Sequence, residues 1–223
     1  MAGPRYDDVA EWYDVTLSGD SPFATLPRET ALRLLGPPRG RLLDIGCGGG
    51  SHMAAFAEAG WAPTGVDPSG AQLELARARR CDVVQGRGEA LPFEDASFDA
   101  AVSMWTHTDV DDWGRVLREI ARVLRPGGFL VYVGVHPCFV GPHSLFVEGK
   151  GVPELHPGHY RIAGRYEDAP GISPTGLRAK VGATHLPLAL FLQAFVDARL
   201  SPDAFEEPGR RDYPVAIALR ARR

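Results

Sequence analysis

The sequence has few cysteines, no excess of basic residues and no long hydrophobic run. Its three cysteines, Cys47, Cys81 and Cys138, form neither a paired framework nor a metal-binding spacing, which is typical of a reducing compartment. With 24 Lys and Arg against 28 Asp and Glu, the net charge of −4 gives no overall attraction for nucleic acid or an anionic membrane. The longest apolar run, 129–135, is far too short to span a bilayer, and the first residues lack the apolar core of a signal peptide. We therefore expect a cytoplasmic protein with no nucleic-acid or membrane partner.

Between residues 41 and 135, short β-rich runs alternate with helical patterns. The clearest helix is predicted over 112–124, where apolar residues recur at positions i, i+3, i+4 and i+7. Such alternation predicts a parallel sheet with helices on both faces. The predicted strands are 42–45, 63–67, 82–85, 98–103 and 129–135, and the predicted helices are 51–59, 71–80 and 112–124.

Residues 136–185 interrupt this alternation. They are rich in Gly and Pro, contain five of the seven histidines and show only weak periodicity. Because a long irregular segment inside a compact domain is most often functional, we interpret this one as a lid over a substrate. After it, a helix is predicted over 187–198, and strands over 204–207 and 214–220 are predicted to form an antiparallel pair at the edge of the sheet.

The stretch from Asp44 to Gly50 has the pattern D-x-G-x-G-x-G and joins the first predicted strand to a helix. A turn with so few side chains lets backbone N–H groups approach a ligand closely, as nucleotide sites require. A dinucleotide fingerprint would place its third glycine at Ser51, and Asp44 would repel a pyrophosphate but attract an ammonium group. These details disfavour a nicotinamide oxidoreductase without eliminating it.

Three further motifs accompany the glycine turn: Gly65-Val66-Asp67; Glu89-Ala90-Leu91-Pro92-Phe93 followed by Ser97-Phe98-Asp99; and the run from Arg118 to Gly128. With all four motifs, residues 41–135 resemble the class I S-adenosylmethionine-dependent methyltransferases, particularly the small-molecule branch called type 11. The resemblance implies an α/β, Rossmann-like three-layer sandwich with a seven-stranded, mostly parallel sheet and an antiparallel C-terminal edge pair. It also implies one domain, with an N-terminal cover (1–35), a cofactor-binding core (41–135), a lid insertion after strand five (136–185) and a C-terminal helix and strands (186–223).

The resemblance implies S-adenosylmethionine as cofactor, with S-adenosylhomocysteine as product. The glycine turn would lie beside the amino-acid part of the cofactor, Asp44 would hold the turn or meet the ammonium, and Asp67 would accept the ribose hydroxyls. Where the family commonly has an adenine-binding aspartate, this chain has Arg87, so adenine selectivity would come from Gly88, Glu89 or another loop. The predicted cofactor-binding residues are Tyr13, Asp44, Gly46, Cys47, Gly48, Asp67, Pro68, Arg87, Gly88, Glu89, Met104 and Trp105.

Methyl transfer from a sulfonium needs alignment of the acceptor more than proton transfer, because the leaving group is a neutral thioether. His107 follows the fourth strand and His136 the fifth, so both are expected at the carboxyl edge of the sheet, where such ligands bind. Imidazole titrates near neutral pH, which makes these two residues the candidate general bases. The other histidines of the insertion lack metal-ligand spacing, and no metal is predicted.

The combined features predict an enzyme that methylates a small molecule, and they favour an O-methyltransferase of secondary metabolism. N- or C-methylation and a non-catalytic cofactor-binding homologue remain open. A nucleic-acid methyltransferase would be expected to have an Asn-Pro-Pro-Tyr-type motif where this chain has Ser103-Met104-Trp105-Thr106. The protein is expected to be a monomer or a homodimer.

Overall fold

A seven-stranded sheet forms the centre of the molecule. The computed structural model describes residues 5–17, 21–145, 153–156, 158–169, 172 and 176–223. The sheet order is β3-β2-β1-β4-β5-β11-β10, with β1 to β5 parallel and β11 antiparallel to both of its neighbours. Its strands are β1 (Arg41–Ile45), β2 (Ala62–Asp67), β3 (Val83–Gln85), β4 (Phe98–Met104), β5 (Leu124–Val135), β10 (Ser201–Glu206) and β11 (Ala216–Arg222). The predicted α/β fold, with its antiparallel C-terminal pair, is confirmed.

Helices cover both faces of this sheet. The four predicted helices, 51–59, 71–80, 112–124 and 187–198, are all present, with ends within two residues of the predicted ones. The described helices are a 3-10 turn at Asp7–Val9, α1 (Ala10–Leu17), α2 (Pro22–Leu35), α3 (Met53–Glu58), α4 (Gly70–Ala78), α5 (Trp113–Val123), α6 (Leu177–Val181) and α7 (Leu188–Asp197).

Strand β5 begins five residues earlier than predicted. Leu124 already pairs with Phe98 of β4, and the register then shifts before Ala100 pairs with Phe129. The intervening Pro126 and the glycines beside it end α5, but they bulge within the strand instead of separating it from the helix.

Alternate residues of the central strands point to opposite faces and build two cores. Leu43 faces the side covered by α5 and α7, whereas Leu42 faces the side covered by α2 and α3, and both are fully buried. This alternation creates the three layers. Because β1, β2, β4 and β5 are parallel, their carboxyl ends lie together at one edge of the sheet, where a ligand site is expected.

The insertion has more regular structure than its sequence pattern predicts. Its described residues form two short antiparallel pairs and the helix α6. The strands are β6 (Ser144–Leu145) with β7 (Glu154–Leu155), and β8 (Gly164–Tyr166) with β9 (Ala183–His185). The N–H of Thr184 donates to the carbonyl of Thr108 at 2.7 Å, which fastens β9 to the loop after β4. Two- and three-residue strands leave too short an alternation to be recognised in a sequence.

Within the residues described, no helix is both long enough and apolar enough to cross a membrane.

The packing of α5 gives a direct test of this core. Leu117 is fully buried, so truncating it in Leu117→Ala removes apolar contacts and leaves a cavity, and we expect a loss of about 2–5 kcal/mol in the free energy of unfolding. The neighbouring Arg118 has an exposed side chain, and Arg118→Ala should change stability by less than about 0.5 kcal/mol. Urea unfolding followed by circular dichroism measures both; equal effects would contradict the assigned helix face.

Candidate active site

The glycine turn after β1 is held against β2 by its own backbone. The N–H groups of Gly46 and Cys47 both donate to the carbonyl of Val66, at 2.8 and 3.2 Å. Gly46 and Gly48 have φ values of 74° and 51°, a left-handed conformation that costs other residues energy. A Cβ at Gly46 would also lie 3.0 Å from the Thr106 hydroxyl. The chain therefore requires glycine at this point, and the turn stays narrow.

Asp44 is buried immediately below this turn. Its side chain is 1% exposed, and its Oδ1 has no hydrogen-bond partner among the described residues. Burial, together with the nearby Asp67, raises the pKa of Asp44 to about 7. An unpartnered carboxylate oxygen in such a position is suited to a cationic donor, and the ammonium group of S-adenosylmethionine fits this requirement.

Asp67 ends β2 and links the two neighbouring turns. Its Oδ2 accepts the N–H of Gly48 at 3.0 Å, and its Oδ1 accepts the N–H of Ser69 at 2.9 Å. Burial raises its pKa to about 6, although the two N–H groups lower it. Each oxygen retains a lone pair, so the carboxylate can accept two ligand hydroxyls in a fixed orientation.

The N-terminal segment lies against the same turns. Ser69 donates its hydroxyl to Asp7 at 2.6 Å, and Arg79 pairs with Asp14 at 2.7 Å while donating to the carbonyl of Gly49 at 2.8 Å. Tyr13 packs edge-on against Tyr6, with ring centroids 5.3 Å apart. Burial, and secondarily Asp109, raises the pKa of Tyr13 to about 12, so its hydroxyl keeps its proton at neutral pH.

A half-buried ion pair that the sequence did not indicate joins three segments beside this site. Arg178 of the insertion donates to Asp109 at 2.6 Å and to the hydroxyl of Thr108 at 2.8 Å. Tyr6 also donates to Asp109, at 3.0 Å. Asp109 lies only two residues after His107, so its place near the site could have been suspected from the sequence. Arg178 could not, because it is 69 residues further along the chain, in a segment without periodicity.

The residues after β3 lie at the surface. Arg87 has a 62% exposed side chain and faces Glu89 at 3.5 Å and Asp111 at 3.3 Å. Glu89 is more buried and accepts the N–H of Asp111 at 3.2 Å, and Gly88 packs on α5. Pro68 is exposed, and its carbonyl accepts a hydrogen bond from Gln85. Roles for Pro68, Arg87, Gly88 and Glu89 toward adenine remain predictions.

The residues after β4 adjoin the glycine turn. Thr106 donates its hydroxyl to the carbonyls of Ile45 and Met104, at 3.2 and 3.1 Å. Met104 is buried, whereas Trp105 adopts a positive φ of 59° and donates its indole N–H to the carbonyl of Phe23 at 2.9 Å. This bond joins the β4 loop to α2, and the unusual backbone conformation is consistent with a constrained functional loop.

The two predicted bases occupy different surroundings. His107 is fully enclosed, its Nδ1 meets the hydroxyl of Tyr132, and burial lowers its pKa to about 3. His136 points toward the β10–β11 connection: its Nε2 lies 3.1 Å from Glu207, and its Nδ1 accepts the N–H of Cys138 at 3.2 Å. Protein groups therefore engage both nitrogens of His136. The catalytic role of either residue remains a prediction.

Comparison with known proteins finds a family match in the central part of the chain. Residues 43–132 match the family described as Methyltransferase domain. The match contains the glycine turn, Asp67 and the loop after β4. Over these residues it confirms the predicted resemblance to methyltransferases, for which S-adenosylmethionine is the predicted cofactor.

Individual relatives extend this finding. The chain is 37% identical over 148 residues to a demethylmenaquinone methyltransferase of Renibacterium salmoninarum, covering 64% of this chain and 62% of the relative. It is 36% identical over 141 residues to O-methyltransferase resE of Aspergillus sclerotiorum, covering 58% and 53%. The chain thus spans less than two thirds of the length of these curated relatives. A solved S-adenosylmethionine-dependent methyltransferase structure from Mesorhizobium loti has the same fold, with a TM-score of 0.69 and 24% identity over 88% of this chain and 95% of that one.

The raised pKa of Asp44 makes a prediction about stability without cofactor. Because the folded protein binds this proton more tightly than the unfolded chain does, the contribution of Asp44 to stability falls as the pH rises from about 4 to 7. Asp44→Asn removes the ionisation, so its stability relative to the parent should rise by on the order of 3 kcal/mol between pH 4 and pH 8. Denaturant unfolding at several pH values measures the difference; a difference that does not vary with pH would show that Asp44 is not buried as described.

Proposed function

We propose that this protein transfers a methyl group from S-adenosylmethionine to a small molecule, with an oxygen atom as acceptor. The observation that carries the proposal is the pair of buried carboxylates, Asp44 and Asp67, at the carboxyl ends of β1 and β2. A cationic ligand with a ribose matches both: the unpartnered Oδ1 of Asp44 suits its ammonium, and Asp67 suits its two adjacent hydroxyls.

In this proposal the chain acts mainly by binding and orientation. The cofactor supplies an electrophilic methyl group when it is bound. The Gly46–Gly48 turn would bring the backbone close to the cofactor. The carboxylate of Asp67, which two N–H groups hold in place, would fix the position of the ribose. Alignment of an acceptor by such a rigid site is worth about 7–11 kcal/mol of activation barrier, more than a base contributes.

Residues before β1 and after β5 would close the site. Asp7 and Asp14 attach the N-terminal segment to the turns, and Arg178 attaches the insertion to the β4 loop. We assign the insertion as the lid of a single domain, because its bonds to Thr108 and Asp109 place it beside the carboxyl edge of the sheet. Excluding water in this way strengthens electrostatic interactions within the site.

The small-molecule class is supported by the names of the relatives, which include methyltransferases of a menaquinone precursor, of sterols and an O-methyltransferase. Oxygen acceptors, and a place in secondary metabolism, are the finer part of the proposal. Carbon acceptors are the alternative, favoured by the relative from Caenorhabditis elegans named a sterol 4-C-methyltransferase, 36% identical over 99 residues.

A labelled-donor assay tests the proposal. The protein is incubated with methyl-labelled S-adenosylmethionine and separate panels of phenols, carboxylic acids, amines and quinols, with protein and RNA as comparison substrates. Label in a phenol or carboxylic acid supports oxygen methylation. Label on carbon alone would support the alternative, and label in protein or RNA alone would refute a small-molecule activity.

Substitution of Asp67 should selectively weaken cofactor binding. Asp67→Ala removes the acceptor of two ligand hydroxyls and frees the Gly48 and Ser69 N–H groups, so we expect the Kd for S-adenosylmethionine to rise by about 100-fold or more. Asp203→Asn serves as the control, because Asp203 lies on the edge strand β10, where it pairs with Arg220 and Arg222 of β11. Titration calorimetry measures both; an unchanged Kd for Asp67→Ala would refute the assigned cofactor position.

A further inference from the structure

A small cavity lies beside the carboxyl ends of β4 and β5, where Thr108 and Val135 line it. Its volume is about 50 Å³, which is room for about three water molecules or for the edge of a larger molecule. Thr108 lines it and is only two residues from Thr106, whose hydroxyl lies 3.0 Å from the Cβ position of Gly46. The loop after β4 therefore contributes to the cavity through Thr108 and contacts the glycine turn through Thr106.

His185 and Thr184 supply polar groups to this cavity. His185 has its Nε2 2.8 Å from the carbonyl of Tyr160, and since a carbonyl only accepts, Nε2 carries the proton. The neutral ring therefore has a free lone pair on Nδ1, which has no partner among the described residues. Burial lowers the pKa of His185, which favours this neutral form. The hydroxyl of Thr184, which also lines the cavity, is buried without a described partner.

Gly141 keeps the Nδ1 of His185 accessible. A Cβ at Gly141 would stand 3.0 Å from that nitrogen and 2.9 Å from the His143 ring. Gly141 has no positive φ, so its backbone conformation is open to any residue. The reason for glycine is thus the space in front of the imidazole and not the shape of the turn.

His107 is the other histidine that lines the cavity, and its ring can act only as a hydrogen-bond donor there. Tyr132 is fully buried, and its hydroxyl has the Nδ1 of His107 as its described partner. With the hydroxyl donating to Nδ1, the proton of His107 is on Nε2, so this ring can donate a hydrogen bond but cannot accept a proton there.

The charge balance and the apolar lining of the cavity indicate which class of ligand it binds. Arg178 lines it but is already paired with Asp109, which leaves no unbalanced cation to attract a carboxylate. Val135, Val140 and the ring of Tyr166 supply apolar walls. These surroundings favour a neutral hydroxyl on a planar ring.

We propose that the cavity receives the hydroxyl-bearing edge of a phenolic acceptor and that Nδ1 of His185 takes the hydroxyl proton. This inference rests on the proposed function. The acceptor oxygen forms its bond to the methyl carbon as the carbon–sulfur bond breaks, and that electron pair remains on the sulfur. The O–H proton passes to His185, and the imidazolium later releases it to water. His185 is then a catalytic residue in place of the predicted His107 and His136.

Substitution of His185 tests this role through the acidity of the acceptor. His185→Gln keeps a donor for the Tyr160 carbonyl and removes the proton acceptor. We expect kcat to fall by about 100-fold or more with 4-methoxyphenol, and by less than about 10-fold with the more acidic 4-nitrophenol, which ionises without help. His143→Gln is the matched control: its Nε2 similarly donates to a carbonyl, of Cys138 at 2.9 Å, and it should show no such dependence on phenol acidity.

A second measurement does not depend on turnover. In protein with ¹⁵N-labelled histidine, 4-methoxyphenol should shift the Nδ1 resonance of His185, and Gly141→Ala, which fills the space before that nitrogen, should abolish the shift. The Kd for S-adenosylmethionine should stay within about twofold in every variant.

Any of the following results would overturn the inference. Equal losses with both phenols would indicate a merely structural role for His185. Unchanged rates, or an Nδ1 resonance that phenol does not move, would exclude it as the base. Methylation of amines or quinol carbons without any phenol would leave the proposed methyltransferase function standing and refute the phenolic acceptor, whereas failure to bind S-adenosylmethionine would refute the function itself.

Discussion

Two carboxylates buried close together at the ends of β1 and β2 are the constraint on which the rest of the site depends. Burial makes both costly to ionise, and the negative charge of Asp67 further opposes ionisation of Asp44. Asp67 is held by N–H groups from two separate turns, so its position defines how those turns approach each other. A cationic ligand relieves the repulsion, which links the chemistry of the cofactor to the stability of the fold.

Hydrogen bonds and ion pairs of aspartate side chains connect segments that are distant in the sequence around Asp44 and Asp67. Asp7 and Asp14 hold the N-terminal segment to the turns, while the Asp109 and Arg178 pair ties the insertion to the loop after β4. Because these pairs are partly exposed, solvent screens them and each adds little to stability, so their main effect is to hold the segments in one arrangement. The cavity lined by His185 exists because these bonds bring β9 beside β4.

Much of the fold was predictable, for identifiable reasons. The spacing of Trp113, Val116, Leu117 and Ile120 defines one helix face, and all four are buried as that period requires. The glycine turn was recognisable because positive φ values limit it to glycine. The short strands β6 to β9 were not predictable, since two or three residues show no period and their pairing depends on contacts between distant parts of the chain.

The sequence by itself determined the order of strands and helices, the glycine turn and the acids that end β1 and β2, because periodicity, glycine and turn chemistry act over a few neighbouring residues. Only the tertiary structure decided which histidine offers a free ring nitrogen to the cavity. His107, His136 and His185 are chemically identical in sequence, yet Tyr132, Glu207 and Tyr160 give them different partners. A hydrogen-bond partner fixes the tautomer and the free lone pair of an imidazole, and those partners are supplied by segments that meet only when the chain folds.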